Sequence, residues 1–459
     1  MIKRLFENRG NSISIIFLFI SLISLLSMTM LLFFTEIYNI FPRSLPAGKF
    51  FNSNIVNTFE VMNRDFLLIY TSVFFLSFYL VPRLTGKTFI GLKPATAIAG
   101  LTLGIPWLSP FFPFESKNSF GIPSSLSVVL MLTLILFTFF VAISFIRRAE
   151  ESLFISGYFL LASLISLTAA TYSMQIDFMT TADLTIVNSF FTSSQIYIGS
   201  GFASLCIIFF LATKGIDGTL DNKSLASITL WGYLFLFPWV GFQFYYGSFL
   251  PNWLENISIY MSLGLIIPLL AFLSNIIKTI QSSREEKGLT YKYLNYSVFL
   301  FTVGNLLIIL GGIPSIIPLV SFTIWSKAIT LSFILSLASG LLGIYSYSIP
   351  KLMGREFRSD NVSHNLYIVG SVLVVISLAT NGIISGYIWT AGSNAGTFTT
   401  FGEGYQIVWQ ATSQFYYLSA FGSALLFASL GIFLVNTFRS VTSGAIVAQE
   451  VLKGVQGYE

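Results

Sequence analysis

The chain has 459 residues, of which 54% are hydrophobic and only 9% are charged, and its formal net charge is +5. A soluble domain usually carries about 25% charged residues, so this composition excludes an ordinary soluble domain and favours a membrane protein. A single cysteine, Cys206, and a single histidine, His364, exclude an internal disulfide, a Cys-ligated iron–sulfur or zinc site, a bis-His haem and a multi-His copper centre.

Stretches of about 20 apolar residues, the length that a helix needs to cross the hydrocarbon core, recur along the whole sequence. They predict an all-α polytopic membrane bundle, with residues 1–459 forming a single transmembrane domain. About twelve spans are predicted: 13–34, 63–82, 94–110, 124–146, 152–175, 186–213, 226–247, 253–277, 292–312, 322–349, 362–390 and 410–438. The span 94–110 is short and contains Gly104 and Pro106, so a re-entrant segment is an alternative there.

The basic residues sort by side when the twelve predicted spans alternate in direction. All but five of the 24 Lys and Arg residues fall on one side, and the exceptions are Arg43, Lys49, Arg64, Lys117 and Lys327. This asymmetry follows the positive-inside rule and predicts a multi-pass plasma-membrane protein with both termini in the cytoplasm. Because the positive charge is spread over short loops, we expect no nucleic-acid partner.

Two predicted outer loops, 35–62 and 391–409, are long and rich in aromatic residues. They contain Tyr38, Phe41, Phe50, Phe51, Phe398, Phe401, Tyr405 and Trp409. One interpretation is an aromatic belt among the lipid headgroups. The other is a docking platform for an extracytoplasmic partner, because exposed aromatic patches also mark interaction surfaces.

Glycines spaced three or four residues apart predict close packing between helices. The pairs are Gly100 with Gly104, Gly340 with Gly343, and Gly382 with Gly386. Small residues at these spacings let helix backbones approach each other, which supplies much of the association energy in lipid.

Five apolar segments carry distinctive motifs. They are FLLIYTSVFFLSFYLVPRLTG (66–86), GFQFYYGSFLPNW (241–253), IYSYSIP (344–350), YIVGSVLVVISLATNGIISGYIW (367–389) and LVNTF (434–438). In this order they resemble the second helix, the Gly-His-His segment, the end of the tenth helix and the last two helices of one known subunit. That subunit is the catalytic subunit of the haem–copper oxygen reductases, most closely of the nitric oxide reductase and cbb3-type branch. The resemblance implies a twelve-helix bundle like subunit I of that family.

The metal-ligand histidines of that family are missing from this sequence. The positions that the resemblance assigns to them are Val61 to Asp65 for the second helix, Phe191 to Gln195 for the sixth, Phe242 and Gln243 for the paired copper ligands, and Ala328 and Thr330 for the tenth. The only histidine, His364, lies where the family places no metal ligand. The resemblance therefore implies a degenerate relative that binds neither haem nor copper itself, with no metal site and no catalytic residues.

Three charged residues lie at the outer ends of the two helices that hold the low-spin haem in the related subunits. Arg64 and Asp65 are at the second span, and Lys327 is at the tenth. Since charges in or near spans are costly, one hypothesis is that the three residues line a shared pocket for a quinone or a lipid headgroup. In the alternative, Arg64 pairs with Asp65, and Lys327 reaches the headgroups.

The sequence predicts a non-catalytic integral subunit of a respiratory electron-transfer complex. It would contact membrane lipid and anchor or orient an outer-side cytochrome or another electron-transfer subunit, with haem on that partner and a quinol pocket as a further expectation. The Ile-, Ser- and Phe-rich composition is compatible with an archaeal plasma membrane, where the chain looks like the hydrophobic partner of membrane-anchored b-type cytochromes. A secondary transporter is the alternative, although no internal repeat relates 1–225 to 226–459.

Overall fold

The structure is a computed structural model that describes residues 9–40, 62–108, 124–149, 154–173, 175, 181–247, 250–283, 288–321, 323–357, 361–397 and 401–443. The secondary-structure elements in these ranges are helices. Apolar spans form helices because a bilayer offers their backbone groups no hydrogen-bond partners, so each group must be satisfied within the segment.

Twelve helical segments, α1 to α12, follow one another through the described residues. They are α1 Arg9–Ile40, α2 Ile69–Thr85, α3 Leu92–Leu108, α4 Ser124–Ile146, α5 Ile155–Ser173, α6 (Thr181–Thr192, Ser193–Ser200, Gly201–Phe210 and Leu211–Gly215), α7 Lys223–Leu236, α8 (Asn252–Gly264 and Ile266–Gln281), α9 Leu289–Gly311, α10 Trp325–Met353, α11 Asn361–Asn394 and α12 Phe401–Ser443. In α6 the stretches Ser193–Ser200 and Leu211–Gly215 are π-helical, and π-helical Met62–Leu68 precedes α2. A short helix, Ile317–Val320, lies between α9 and α10.

The predicted all-α membrane bundle is confirmed. Eleven helices in the described part of the chain are long and apolar enough to cross a membrane. The remaining predicted span, 94–110, corresponds to α3, which has 17 residues and contains Pro106. At 1.5 Å per residue α3 is about 25 Å long, somewhat less than the roughly 30 Å hydrocarbon core, which agrees with its weaker sequence signal.

Three helices form the inside of the bundle. The apolar stretches of α6 and α10 are completely buried and that of α2 is 83% buried, whereas those of the other membrane-crossing helices are between 39% and 61% buried. α1 packs against both α2 and α12, so the first and last helices of the described chain are neighbours. The inner helices α2, α6 and α10 are the ones that the family resemblance associates with metal ligands.

The predicted outer loop 391–409 is mostly helical, which corrects the sequence interpretation. α11 continues to Asn394, and α12 begins at Phe401 and runs for 43 residues. At 1.5 Å per residue α12 is about 64 Å long, whereas the bilayer including headgroups is about 40–45 Å thick. Hydropathy located only the membrane-embedded part of these helices, because their outer ends are polar. Of the other predicted outer loop, 35–40 belong to α1 and 41–61 lie outside the described residues.

The glycine pairs behave differently from one another. A Cβ at Gly382 would lie 2.8 Å from the Trp325 nitrogen, and one at Gly386 would overlap the Leu319 carbonyl, so α11 packs directly on the start of α10 and the chain before it. The pair Gly340 and Gly343 of α10 packs closely in the same way, against α6 and α9. Gly100 and Gly104 of α3 have no described atom within 4 Å of such a Cβ, so the packing predicted for them is not found within the described chain.

Candidate functional site

The sixth-helix ligand position lies in the π-helical part of α6. Ser193, Ser194 and Gln195 are buried there. Two serines of α5 donate hydrogen bonds into this stretch, Ser163 to the Gly199 carbonyl at 2.7 Å and Ser166 to the Ser194 carbonyl. A π-helix changes the backbone hydrogen-bond register, and the α5 serines supply donors to its carbonyls. The local geometry is thus fixed by polar packing between two helices.

The position of the paired copper ligands lies in the turn before α8. Gly241 has a φ of +117°, a conformation that glycine adopts readily. The Gln243 Oε1 accepts a hydrogen bond from the Gly241 nitrogen at 2.8 Å and another from the Ser258 hydroxyl. Phe242 packs in a small apolar cluster with Leu250. Gln243 therefore holds the turn against α8, which is a structural role for a side chain at an expected ligand position.

Aromatic rings fill the interior beside the tenth-helix ligand positions. Ala328 and Thr330 of α10 are buried, and Phe333 lies one turn further along. The Phe333 ring centroid is 5.6 Å from that of Tyr197, 5.8 Å from Phe237 and 5.4 Å from Phe301. Rings at these separations pack in favourable edge-to-face or tilted arrangements. The rings join α10 to α6, to α9 and to a short 3-10 helix, Phe237–Trp239, that follows α7.

A second series of rings runs along α2. The Phe66 and Tyr70 rings stack at 4.2 Å, and the Phe75 ring meets the Tyr345 ring of α10 edge-on at 5.2 Å. The Tyr345 hydroxyl also hydrogen-bonds the Ser21 hydroxyl of α1. The Phe75 and Tyr345 rings thus join α2 to α10.

The side chains at these positions do not fit haem iron or copper. Iron in haem and copper in the oxidase manner are held by imidazole nitrogens, which hydroxyl, amide, methyl and phenyl groups do not replace. His364 is buried at the start of α11, where the Tyr293 ring meets it edge-on at 4.7 Å. Within the described residues, no group of three or more His, Cys, Asp or Glu side chains is arranged to hold a metal ion.

Lys327 pairs with a carboxylate that the sequence analysis did not select. Its Nζ lies 2.8 Å from Oε1 of Glu36 on α1. The Glu36 side chain is completely buried, whereas that of Lys327 is 22% exposed. Arg64 is half-buried in the π-helical turn before α2, and the Asp65 side chain lies outside the description. The pocket shared by Arg64, Asp65 and Lys327 therefore stays a prediction.

Two further polar side chains lie beside this ion pair. Tyr416 of α12 is close enough to interact with both charges and with the amide of Asn381 on α11. Gly382, next to Asn381, contacts Trp325, which is two residues before Lys327. We refer to Glu36, Lys327, Asn381 and Tyr416 as the outer polar cluster. The sequence signal for it was a pair of opposite charges, Glu36 and Lys327, at the outer ends of two predicted spans.

This architecture is similar to that of a known haem–copper oxidase. No protein-family profile matches the chain. The structure is similar to a haem–copper terminal oxidase dimer solved by cryo-electron microscopy, with a TM-score of 0.71 and 12% identity over 95% of this chain and 86% of that one. The chain thus has the fold of haem–copper oxidase subunit I.

A curated relative supports the same assignment by sequence. The Cbb3-type cytochrome c oxidase subunit CcoN1 of Stutzerimonas stutzeri is 23% identical over 256 residues, which is 53% of this chain. The matched part spans about half, 52%, of that relative's length. The weak sequence similarity and the shared fold together support a degenerate relative of the haem–copper oxidase catalytic subunit, and this sequence has no histidine at the positions that the resemblance assigns to the metal ligands.

Proposed function

We propose that this chain is a non-catalytic membrane subunit of a respiratory electron-transfer complex, in which it anchors or orients an outer-side cytochrome. The observation that carries the proposal is the retained oxidase fold without imidazoles at the ligand positions. Buried side chains with structural roles stand there instead, as Gln243 does in its turn. Haem belongs to the partner in this proposal, because haem needs axial ligands that these positions do not supply.

The outer ends of α11 and α12 support a docking role. Thr390 of α11 donates a hydrogen bond to the Pro318 carbonyl at 3.3 Å, and α11 continues for four more residues to Asn394. At 1.5 Å per residue, this continuation is about 6 Å long. The Trp409 Nε1 donates to the Asn39 carbonyl near the end of α1 at 3.1 Å, and α12 extends beyond this contact to Phe401. The ends of these two helices beyond the two contacts are a suitable surface for an extracytoplasmic subunit.

The proposed role also includes a membrane setting, a partner cytochrome and a quinol ligand. Apolar side chains exposed along α4, such as Leu132, Leu136 and Phe139, suit contact with membrane lipid. The distribution of basic residues supports cytoplasmic termini under the positive-inside rule, and the Ile-, Ser- and Phe-rich composition is compatible with the plasma membrane of an archaeon. The partner is then a membrane-anchored b-type cytochrome, and a quinol pocket lies at the outer end of the bundle. A secondary transporter gains no support from the oxidase-like fold.

The test is purification from native membrane in a mild detergent. We expect a cytochrome to co-purify, and we expect no haem on this chain once it has been separated. A photo-crosslinking residue at Tyr405, which is 61% exposed near the outer end of α12, should capture that partner. The matched control is Val362, 52% exposed at the opposite end of α11. Haem retained by the separated chain, equal capture at both sites, or substrate uptake by liposomes containing this chain alone would overturn the proposal.

A further inference from the structure

The outer polar cluster joins four helices near the outer end of the bundle. Glu36 belongs to α1, Lys327 to α10, Asn381 to α11 and Tyr416 to α12. Glu36 is four residues from the end of α1, and Lys327 is two residues after the start of α10. The cluster therefore lies near the ends of α1 and α10 that the basic residues predict to be on the outer side.

The cluster has hydrogen-bonding capacity that the described chain does not use. Oε1 of Glu36 receives the Lys327 ammonium, but Oε2 is buried without a hydrogen-bond partner among the described residues. Asn381 is 1% exposed, and the Tyr416 hydroxyl is within hydrogen-bonding reach of one of its polar atoms, which leaves at least one of Oδ1 and Nδ2 without a partner among the described residues. Buried polar groups are rarely left without partners, because their desolvation is costly. A bound molecule would supply the missing partners.

The chemistry of the cluster narrows the class of that molecule. A carboxylate oxygen accepts only, so Oε2 of Glu36 calls for a hydroxyl or amine donor. The Glu36 carboxylate already neutralises the Lys327 ammonium, and this carboxylate would repel an anionic phosphate headgroup. The Asn381 amide offers both a donor and an acceptor, and the Tyr416 side chain lies near it. These groups suit a neutral, flat ring that carries hydroxyl groups and enters from the lipid phase.

We propose that the outer polar cluster binds the ring of a quinol, with one hydroxyl donating to Oε2 of Glu36 and the ring oxygens meeting the Asn381 amide. Lys327 orients the carboxylate, since its ammonium occupies the other oxygen. This inference rests on the proposed respiratory function and locates its quinol pocket. The Arg64 and Asp65 side chains play no part in it.

The test measures binding to the purified chain itself, by calorimetry in detergent, with a decyl-substituted benzoquinol kept reduced and with the corresponding quinone. The quinone lacks the hydroxyl donor, so it should bind at least tenfold more weakly than the quinol. Glu36→Gln should lower quinol affinity at least tenfold, because a hydrogen bond to a charged acceptor is lost. Asn381→Leu should weaken both forms. The matched control is Glu255→Gln, which removes another buried carboxylate, 4% exposed on α8, and should leave binding unchanged.

Several results would overturn the inference. They are the absence of saturable binding, equal affinity for quinol and quinone, and an equal effect of the Glu36 and Glu255 substitutions. Anionic phospholipid is added as a competitor of the quinol for the cluster. If this competition is lost in Lys327→Gln but kept in Glu36→Gln, the cluster is a headgroup site. Tyr416→Phe keeps the ring and serves as a mild second variant if Glu36→Gln does not fold. Because no cytochrome is present, these outcomes are independent of the co-purification result.

Discussion

The same substitution at two glycines should change stability in opposite directions. In Gly382→Ala the new Cβ would lie 2.8 Å from the Trp325 nitrogen, 3.0 Å from its Cα and 3.1 Å from its Cβ. Favourable contacts between carbon atoms are about 3.5–4.0 Å, so α11 and α10 would have to separate by about 0.5–1 Å. In Gly100→Ala the new Cβ would meet no described atom within 4 Å.

The expected changes in the free energy of unfolding follow from the surroundings of Gly382 and Gly100. Inserting a methyl group into a packed core costs about 1–3 kcal/mol, and the upper part of that range applies at Gly382 because backbone atoms are in the way. Alanine is about 0.8–1.0 kcal/mol more favourable than glycine in a helix interior. We therefore expect Gly382→Ala to lose about 1–2 kcal/mol of unfolding free energy and Gly100→Ala to gain up to about 1 kcal/mol.

The assay is reversible unfolding in mixed micelles by increasing mole fraction of dodecyl sulfate, followed by far-ultraviolet circular dichroism. The two variants should move to opposite sides of the unsubstituted protein. Shifts of the same sign and similar size would refute the packing of α11 on α10 at Gly382. Because Asn381 is adjacent to Gly382, that result would also remove the placement of Asn381 beside Lys327.

Three further substitutions test other contacts in the same assay. Lys327→Met should lower the free energy of unfolding by about 3–5 kcal/mol, because it leaves the buried Glu36 carboxylate without its partner. The double variant Lys327→Met with Glu36→Gln should regain most of this loss. Equal losses in the single and the double variant would contradict the ion pair. Asn222→Ala should cost about 1 kcal/mol, since its Oδ1 caps α7 by accepting from two backbone nitrogens, and no change would show that the cap is not formed. Gln243→Leu should cost about 1–3 kcal/mol because the Gly241 nitrogen and the Ser258 hydroxyl lose their acceptor, and a neutral result would argue against that turn.

The sequence by itself determined the membrane bundle and the loss of the metal ligands. Apolar stretches of about 20 residues specify membrane-crossing helices because bilayer thickness and backbone hydrogen bonding leave few alternatives. The absence of imidazoles at Phe242, Gln243, Ala328 and Thr330 is a matter of residue identity, so it follows from the sequence and the family resemblance alone. These inferences depend on local composition and on positions along the chain.

The tertiary structure decided which residues meet. Glu36 and Lys327 are 291 residues apart, and only the placement of α1 beside α10 brings their charges together. Hydropathy missed the outer parts of α11 and α12 because they are less apolar than the membrane-crossing parts, and contacts such as that of Trp409 with the Asn39 carbonyl form only in the folded chain. Identical glycine spacings gave a tight contact at Gly382 and open space at Gly100, since packing depends on the partner surface, which no single helix encodes.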